Sequence, residues 1–187
     1  MGTRGLYGFR KNNKDKTTYN HYDSYPEGLG ADVISFIQKH SIKDMNDLYD
    51  RIIMVNEHSA PTEEQKANCM KNSAIDLSVS SQSTNDWYCL LRNLQGNLDA
   101  LCKCDVPYMI DNEDFIKDSL FCEYAYIINL DDNVLEFYKG FQKRPQLGNR
   151  YGTNADRGYY PCKLVAEIPI AYIYSNDHII ETFMKNN

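Results

Sequence analysis

The chain has 187 residues, the length of one ordinary domain, and its 42% hydrophobic and 25% charged residues exclude collagen, coiled coil and disorder. No apolar run approaches the roughly 18 residues of a membrane-spanning helix, and the opening MGTRGLYGFRK lacks the apolar centre of a secretory signal, so a soluble, cytoplasmic protein with no membrane contact is expected. With 20 basic against 26 acidic residues the formal charge is −6, which argues against a protein that coats nucleic acid.

Residues 2–10 and 17–21, separated by a polar stretch from Lys11 to Lys16, predict an N-terminal β-hairpin. Pro26, Gly28 and Gly30 then break the strand. Leu29, Val33, Phe36 and Ile37 follow at the spacing of one helical face. Ser41 with Asp44 three residues on is a start signal for a second helix, from about Asp44 to Met54, whose apolar face is Met45, Leu48, Tyr49 and Ile52. Thr62 with Gln65 predicts a third, polar helix through about Lys71, followed by a serine-rich turn over 78–84. Trp87, Leu90, Leu91, Leu94, Leu98 and Leu101 then form a continuous apolar stripe, read as one central core helix capped by Ser83.

Beyond it, 121–130 and 134–138 flank Asp131, Asp132 and Asn133, the pattern of a hairpin with a tight polar turn. A last strand runs from Cys162 to Ile168 and ends at Pro169, and Asp177 to Met184 has the composition of a short helix. The order predicts a single α+β domain over 1–187, an antiparallel sheet with helices grouped on one side. The cysteines, Cys69, Cys89, Cys102, Cys104, Cys122 and Cys162, are scattered. Only Cys102 and Cys104 are close, and no second short-spaced pair of Cys or His accompanies them. Free thiols, no structural metal and no cofactor are the expectation.

Two segments can carry chemistry. Tyr19 to Gly30 (YNHYDSYPEGLG) places a histidine, carboxylates, a hydroxyl and tyrosines between a strand and a helix N-terminus, where backbone N–H groups and the helix dipole favour anions. On a continuing strand His21 and Asp23 face the same side, so the carboxylate could orient the imidazole as a general base. The plainer reading makes Asp23 or Ser24 a turn or cap residue and His21 a satisfied polar group. The second segment, 139–163, is long for a passive connection and interleaves arginines and lysines with tyrosines and glycines. That composition suits phosphate and ring contacts, and equally suits a solvated loop. The charge partitions accordingly: residues 1–20 hold five basic groups and one acidic, 139–163 hold six and one, so these segments total +9 and the remainder −15. A local cationic site therefore stays open on an acidic body.

Met1-Gly-Thr-Arg-Gly5, the turn YNHYDSYPEGLG and the stretch NLDDNVLEFYKGF from Asn129 to Phe141 resemble a group of uncharacterised proteins encoded by phages, bacteria and some fungi. The resemblance covers both ends of the chain and not the middle from about Ile42 to Asp118. It implies that Arg4, His21, Asp23, Tyr25, Pro26, Gly28 and Gly30 belong to one constellation, and a phage or mobile-element origin. The resemblance neither confirms nor excludes an enzyme; the small size, the expected reduced intracellular state, the absence of an assembled catalytic set and the long Tyr/Arg/Gly loop give the expectation of a non-enzymatic binding or inhibitor protein. It would sequester a small nucleotide-like anion or block a host defence protein, with Arg4, Tyr25, Arg144, Arg150, Tyr151 and Arg157 as ligand-binding residues. The alternative is a hydrolase acting on an anionic substrate, with His21 as base, Asp23 orienting it and Arg4 holding the substrate charge. Direct nucleic-acid binding requires the two basic segments to share a face, and the oligomeric state is open.

Overall fold

The computed structural model describes residues 2–176 and 179–181. Strands β1 (Gly5–Lys11) and β2 (Lys14–Asn20) form the expected hairpin, turning at Asn12 and Asn13, both with positive φ. The chain then crosses about a hundred residues of helices and short strands before β5 (Tyr124–Asn129) lies parallel to β1. Strands β6 (Val134–Lys139) and β7 (Lys163–Pro169) extend the sheet antiparallel, giving the order β2-β1-β5-β6-β7. The fold is α+β with a mostly antiparallel sheet, and its one parallel pair, β1 with β5, is what the long crossover makes possible.

Alternation along the strands sends Tyr7, Phe9, Tyr126, Ile128, Leu135 and Phe137 to one face. Against them pack Val33, Phe36 and Ile37 of α1 (Ala31–Lys39) and Met45 and Leu48 of α2 (Ile42–Arg51). Helix α2 begins with a capping box between Ser41 and Asp44 and stops at Arg51, earlier than expected, because Ile53–Val55 becomes a strand, β3, paired in parallel with β4 (Tyr108–Ile110). Thr62 and Gln65 form a second box at the head of α3 (Glu63–Lys71). The opposite sheet face carries a smaller cluster of Leu6, Ile116, Cys122, Ala125, Ile127, Tyr138 and Cys162 under a 3-10 turn, Glu113–Lys117, and the 139–163 loop.

The single central helix is not formed. Its residues are all buried as expected, but the backbone is cut into α4 (Trp87–Leu90), a 3-10 turn over Arg92–Leu94, and α5 (Leu98–Cys102). Gly96 adopts φ +75°, which a helix interior forbids, and Asp86, not Ser83, caps α4 through the Tyr88 N–H. The Gly96 N–H donates to the Tyr7 hydroxyl at 2.8 Å, which in turn donates to the Leu94 carbonyl at 3.3 Å. A tertiary anchor thus outweighs helical periodicity. After β7 comes α6 (Ile170–Ile173). Of the helix expected over Asp177 to Met184, residues 179–181 are helical and the rest lies outside the described residues. All six cysteines are free thiols. Among the described residues no helix is long and apolar enough to cross a membrane, and no group of three or more Cys, His, Asp or Glu is placed to hold a metal ion.

Candidate functional site

Strand β2 ends at Asn20, whose side-chain amide donates to the Tyr22 carbonyl and, at 2.9 Å, to the Ser24 hydroxyl. This folds 21–24 back on the strand end. Asp23 takes a left-handed backbone, φ 51°, and its carbonyl accepts from the Leu29 N–H at 2.8 Å. A Cβ at Gly28 would lie 2.1 Å from that carbonyl, so only glycine lets the chain pass. The turn is tied to the sheet by the Ser24 N–H to the Thr3 carbonyl, 3.2 Å, and by the Tyr126 hydroxyl to the Ser24 carbonyl, 3.0 Å.

Because the strand does not continue past Asn20, His21 and Asp23 do not become a pair. The Tyr19 hydroxyl lies 2.6 Å from His21 Nδ1, and Asp23 makes no hydrogen bond to the ring. What surrounds His21 instead is aromatic. Ring centroids of Tyr22, Tyr19 and Tyr88 lie 4.4, 5.7 and 6.4 Å from that of His21, and Phe115 meets Tyr19 edge-on at 5.2 Å. The Arg92 guanidinium sits 5.3 Å over the Tyr22 ring and 5.9 Å over that of Tyr88. Burial, then the charges of Arg92 and Arg4, push the His21 pKa below its ordinary value and so favour the neutral ring. Neither Arg92 nor Arg4 has a carboxylate within ion-pair distance of its side chain among the described residues. Arg92 donates to Gln95 Oε1 at 3.2 Å, and Arg4 lies 4.6 Å over the Phe121 ring.

Beside this cluster opens a cleft of about 370 Å³, walled by the Asn20–Leu29 turn, by α1 and by the 92–99 segment. Its volume lies within the range of about 300–1,000 Å³ typical of small-molecule sites. Arg92 and Lys39 are its cations, Asp23, Asp32 and Asp99 its carboxylates. Asp99 is engaged by Lys39 at 3.0 Å and His40 at 2.9 Å. The Asp32 carboxylate has no hydrogen-bond partner among the described residues, and burial raises its pKa from the ordinary aspartate value.

The 139–163 loop lies apart from this cleft. Arg150 makes two 2.6 Å bonds to the carboxylate of Glu136, which is 1% exposed and also accepts from Asn129 and from the Tyr138 hydroxyl. Tyr151 donates to Asp15 at 2.8 Å, and Asp15 holds Arg10 at 2.7 Å. Arg150 and Tyr151 therefore fasten the loop to the sheet. Arg157 pairs with Asp118 at 2.8 Å and stacks 5.1 Å over Phe121, the same ring that carries Arg4, so the two basic segments approach each other there as well as at the bond between Tyr151 and Asp15. Arg144 is exposed, with its carbonyl accepting from Gln146. Tyr25 is exposed, with its carbonyl accepting from the Gly28 and Gly30 N–H groups.

Of the residues singled out in the sequence, the structure thus gathers His21 and Arg4 at the aromatic cluster and Asp23 at the cleft. Arg92, Gln95, Tyr88 and Phe115 were not anticipated. Arg92 lies among the leucines of the apolar stripe with Asn93, Gln95, Asn97 and Asp99, and polar residues on the outer face of a supposed helix carry no signal until the helix breaks. Compared with known proteins, the chain matches no family model, no curated protein and no solved structure.

Proposed function

We propose that the protein is a non-enzymatic binding protein that sequesters a small nucleotide-like anion in the cleft beside His21. The observation that carries this reading is Arg92, a guanidinium stacked on two tyrosines at the cleft wall with no carboxylate within ion-pair distance among the described residues. Such a group offers a phosphate two or more N–H donors while the ring faces offer stacking. The carboxylates of Asp23 and Asp32 suit the hydroxyls of a sugar, the use to which nucleotide sites put an acidic side chain. A hydrolase built on His21 and Asp23 finds less support, because the imidazole is bonded to Tyr19 and not to the aspartate. The N-terminal motifs support a phage or mobile-element origin, a setting in which removal of a host nucleotide is a use for such affinity.

The test is calorimetric titration with a panel of mononucleotides and cyclic nucleotides against the wild type, Arg92→Ala and, as a surface control, Arg144→Ala. Binding that falls by about tenfold or more in Arg92→Ala and is unchanged in Arg144→Ala is expected, since a charge-assisted contact contributes about 1.5–3 kcal/mol. No binding by any nucleotide overturns the reading in favour of a protein partner.

A further inference from the structure

The cleft does not end at Arg92. Gln95 lines it on one side and, on the other, lines a second cavity of about 200 Å³ whose walls include Tyr19, Tyr88 and Phe115. The Gln95 Oε1 accepts from the His21 N–H at 3.3 Å and from Arg92 at 3.2 Å, so a single side chain fixes the ridge between the two spaces. Tyr22 belongs to the larger cleft and Tyr88 to the slot, and the Arg92 guanidinium spans both rings. The slot is smaller than the about 300 Å³ at which whole-ligand pockets begin, which makes it the size of one ring system. In its polar wall Asn112 already accepts from Thr18 and from the Tyr19 N–H, and the Glu57 carboxylate supplies the acceptor for the amino edge of a base.

We infer that the site is bipartite and takes a dinucleotide: one base in the slot against Tyr88, the other nucleoside in the cleft beside Tyr22, and the bridging phosphate on Arg92. This rests on the reading of the cleft as a nucleotide site and extends it across the ridge. The cavity charges fit such a ligand better than a lone phosphate. Three aspartates in the cleft and Glu57 in the slot disfavour a compact polyanion, whereas a dinucleotide presents hydroxyls and amino groups to them and concentrates its negative charge at the ridge.

The experiment compares the linear dinucleoside monophosphates ApA and GpG with 5′-AMP and 5′-GMP by calorimetry on the wild type, Tyr88→Leu and Glu57→Gln, with circular dichroism to verify folding. Glu57 is exposed, so its variant keeps the fold if Tyr88→Leu does not. A dinucleotide should bind about tenfold or more tighter than its mononucleotide, the worth of one stacked base, and the two slot variants should shrink that ratio toward unity. Equal affinity for both lengths, or a ratio that survives both slot variants, overturns the bipartite site while leaving the cleft reading standing. Failure of all four probes to bind overturns both.

Discussion

At the scale of single residues, the site is governed by what each polar group is bonded to. His21 is the example: it lies two residues from Asp23, yet the left-handed backbone at Asp23 and the end of β2 turn the carboxylate away, and Tyr19 takes its place. With two guanidiniums nearby the imidazolium is disfavoured, so the folded pKa lies below the unfolded value of 6.5. The sign follows. The unfolded chain binds this proton more readily, so the contribution of His21 to stability is present above pH 6.5 and is lost as the pH falls from there through the folded value. An NMR titration of the His21 ring should place its midpoint below 6.5, and Arg92→Ala should move it upward. A midpoint unmoved by the substitution would show that Arg92 does not face the ring.

At the scale of elements, what fastens the 139–163 loop is an ion pair between the buried Glu136 carboxylate and the partly exposed Arg150, and a few backbone bonds. The Phe141 N–H donates to the Ser119 carbonyl at 2.7 Å and the Cys162 N–H to the Ile116 carbonyl at 3.0 Å, holding the two ends, while Arg150 reaches inward to Glu136 in the middle. Removing one partner of such a pair leaves a buried charge uncompensated, which costs about 3–5 kcal/mol. Arg150→Met should therefore lower stability by that amount in urea unfolding and speed tryptic cleavage within the loop. Adding Glu136→Leu should recover a large part of the loss, because it removes the stranded carboxylate. A double variant no more stable than the single would show that the pair holds the loop by geometry beyond charge. The sequence exposed the cationic composition of this loop, but the acid that Arg150 meets sits on a neighbouring strand, fourteen residues away and buried, where no spacing rule finds it.

At the scale of the whole molecule, acidic groups set the response to pH. Burial alone would raise Asp86, but the hydroxyls of Ser81 and Ser80 and the Tyr88 and Ser81 N–H groups outweigh it and bring its pKa to about 2. Asp44 and Asp131 are likewise held low, the first by the side chain and backbone of Ser41, the second by the N–H groups of Asn13 and Asn12. Each such carboxylate lends stability above its unfolded value of 3.8 that is lost as the pH falls through the folded value, so the melting temperature should fall steadily from pH 5 to pH 2. A melting temperature that held or rose over that range would contradict these assignments. The sequence by itself determined the α+β class, the two hairpins, both capping boxes and which leucines are buried, because these depend on periodicity and on signals a few residues long. Only the tertiary structure decided that the leucine stripe is three short pieces and that Arg92 joins Tyr22 and Tyr88. It also decided that the basic loop is fastened to the sheet, away from the cleft. Each of those outcomes turns on a contact between residues distant in the chain, of which the bond between Tyr7 and Gly96, 89 positions apart, holds the second of the two breaks in the stripe, between the 3-10 turn and α5.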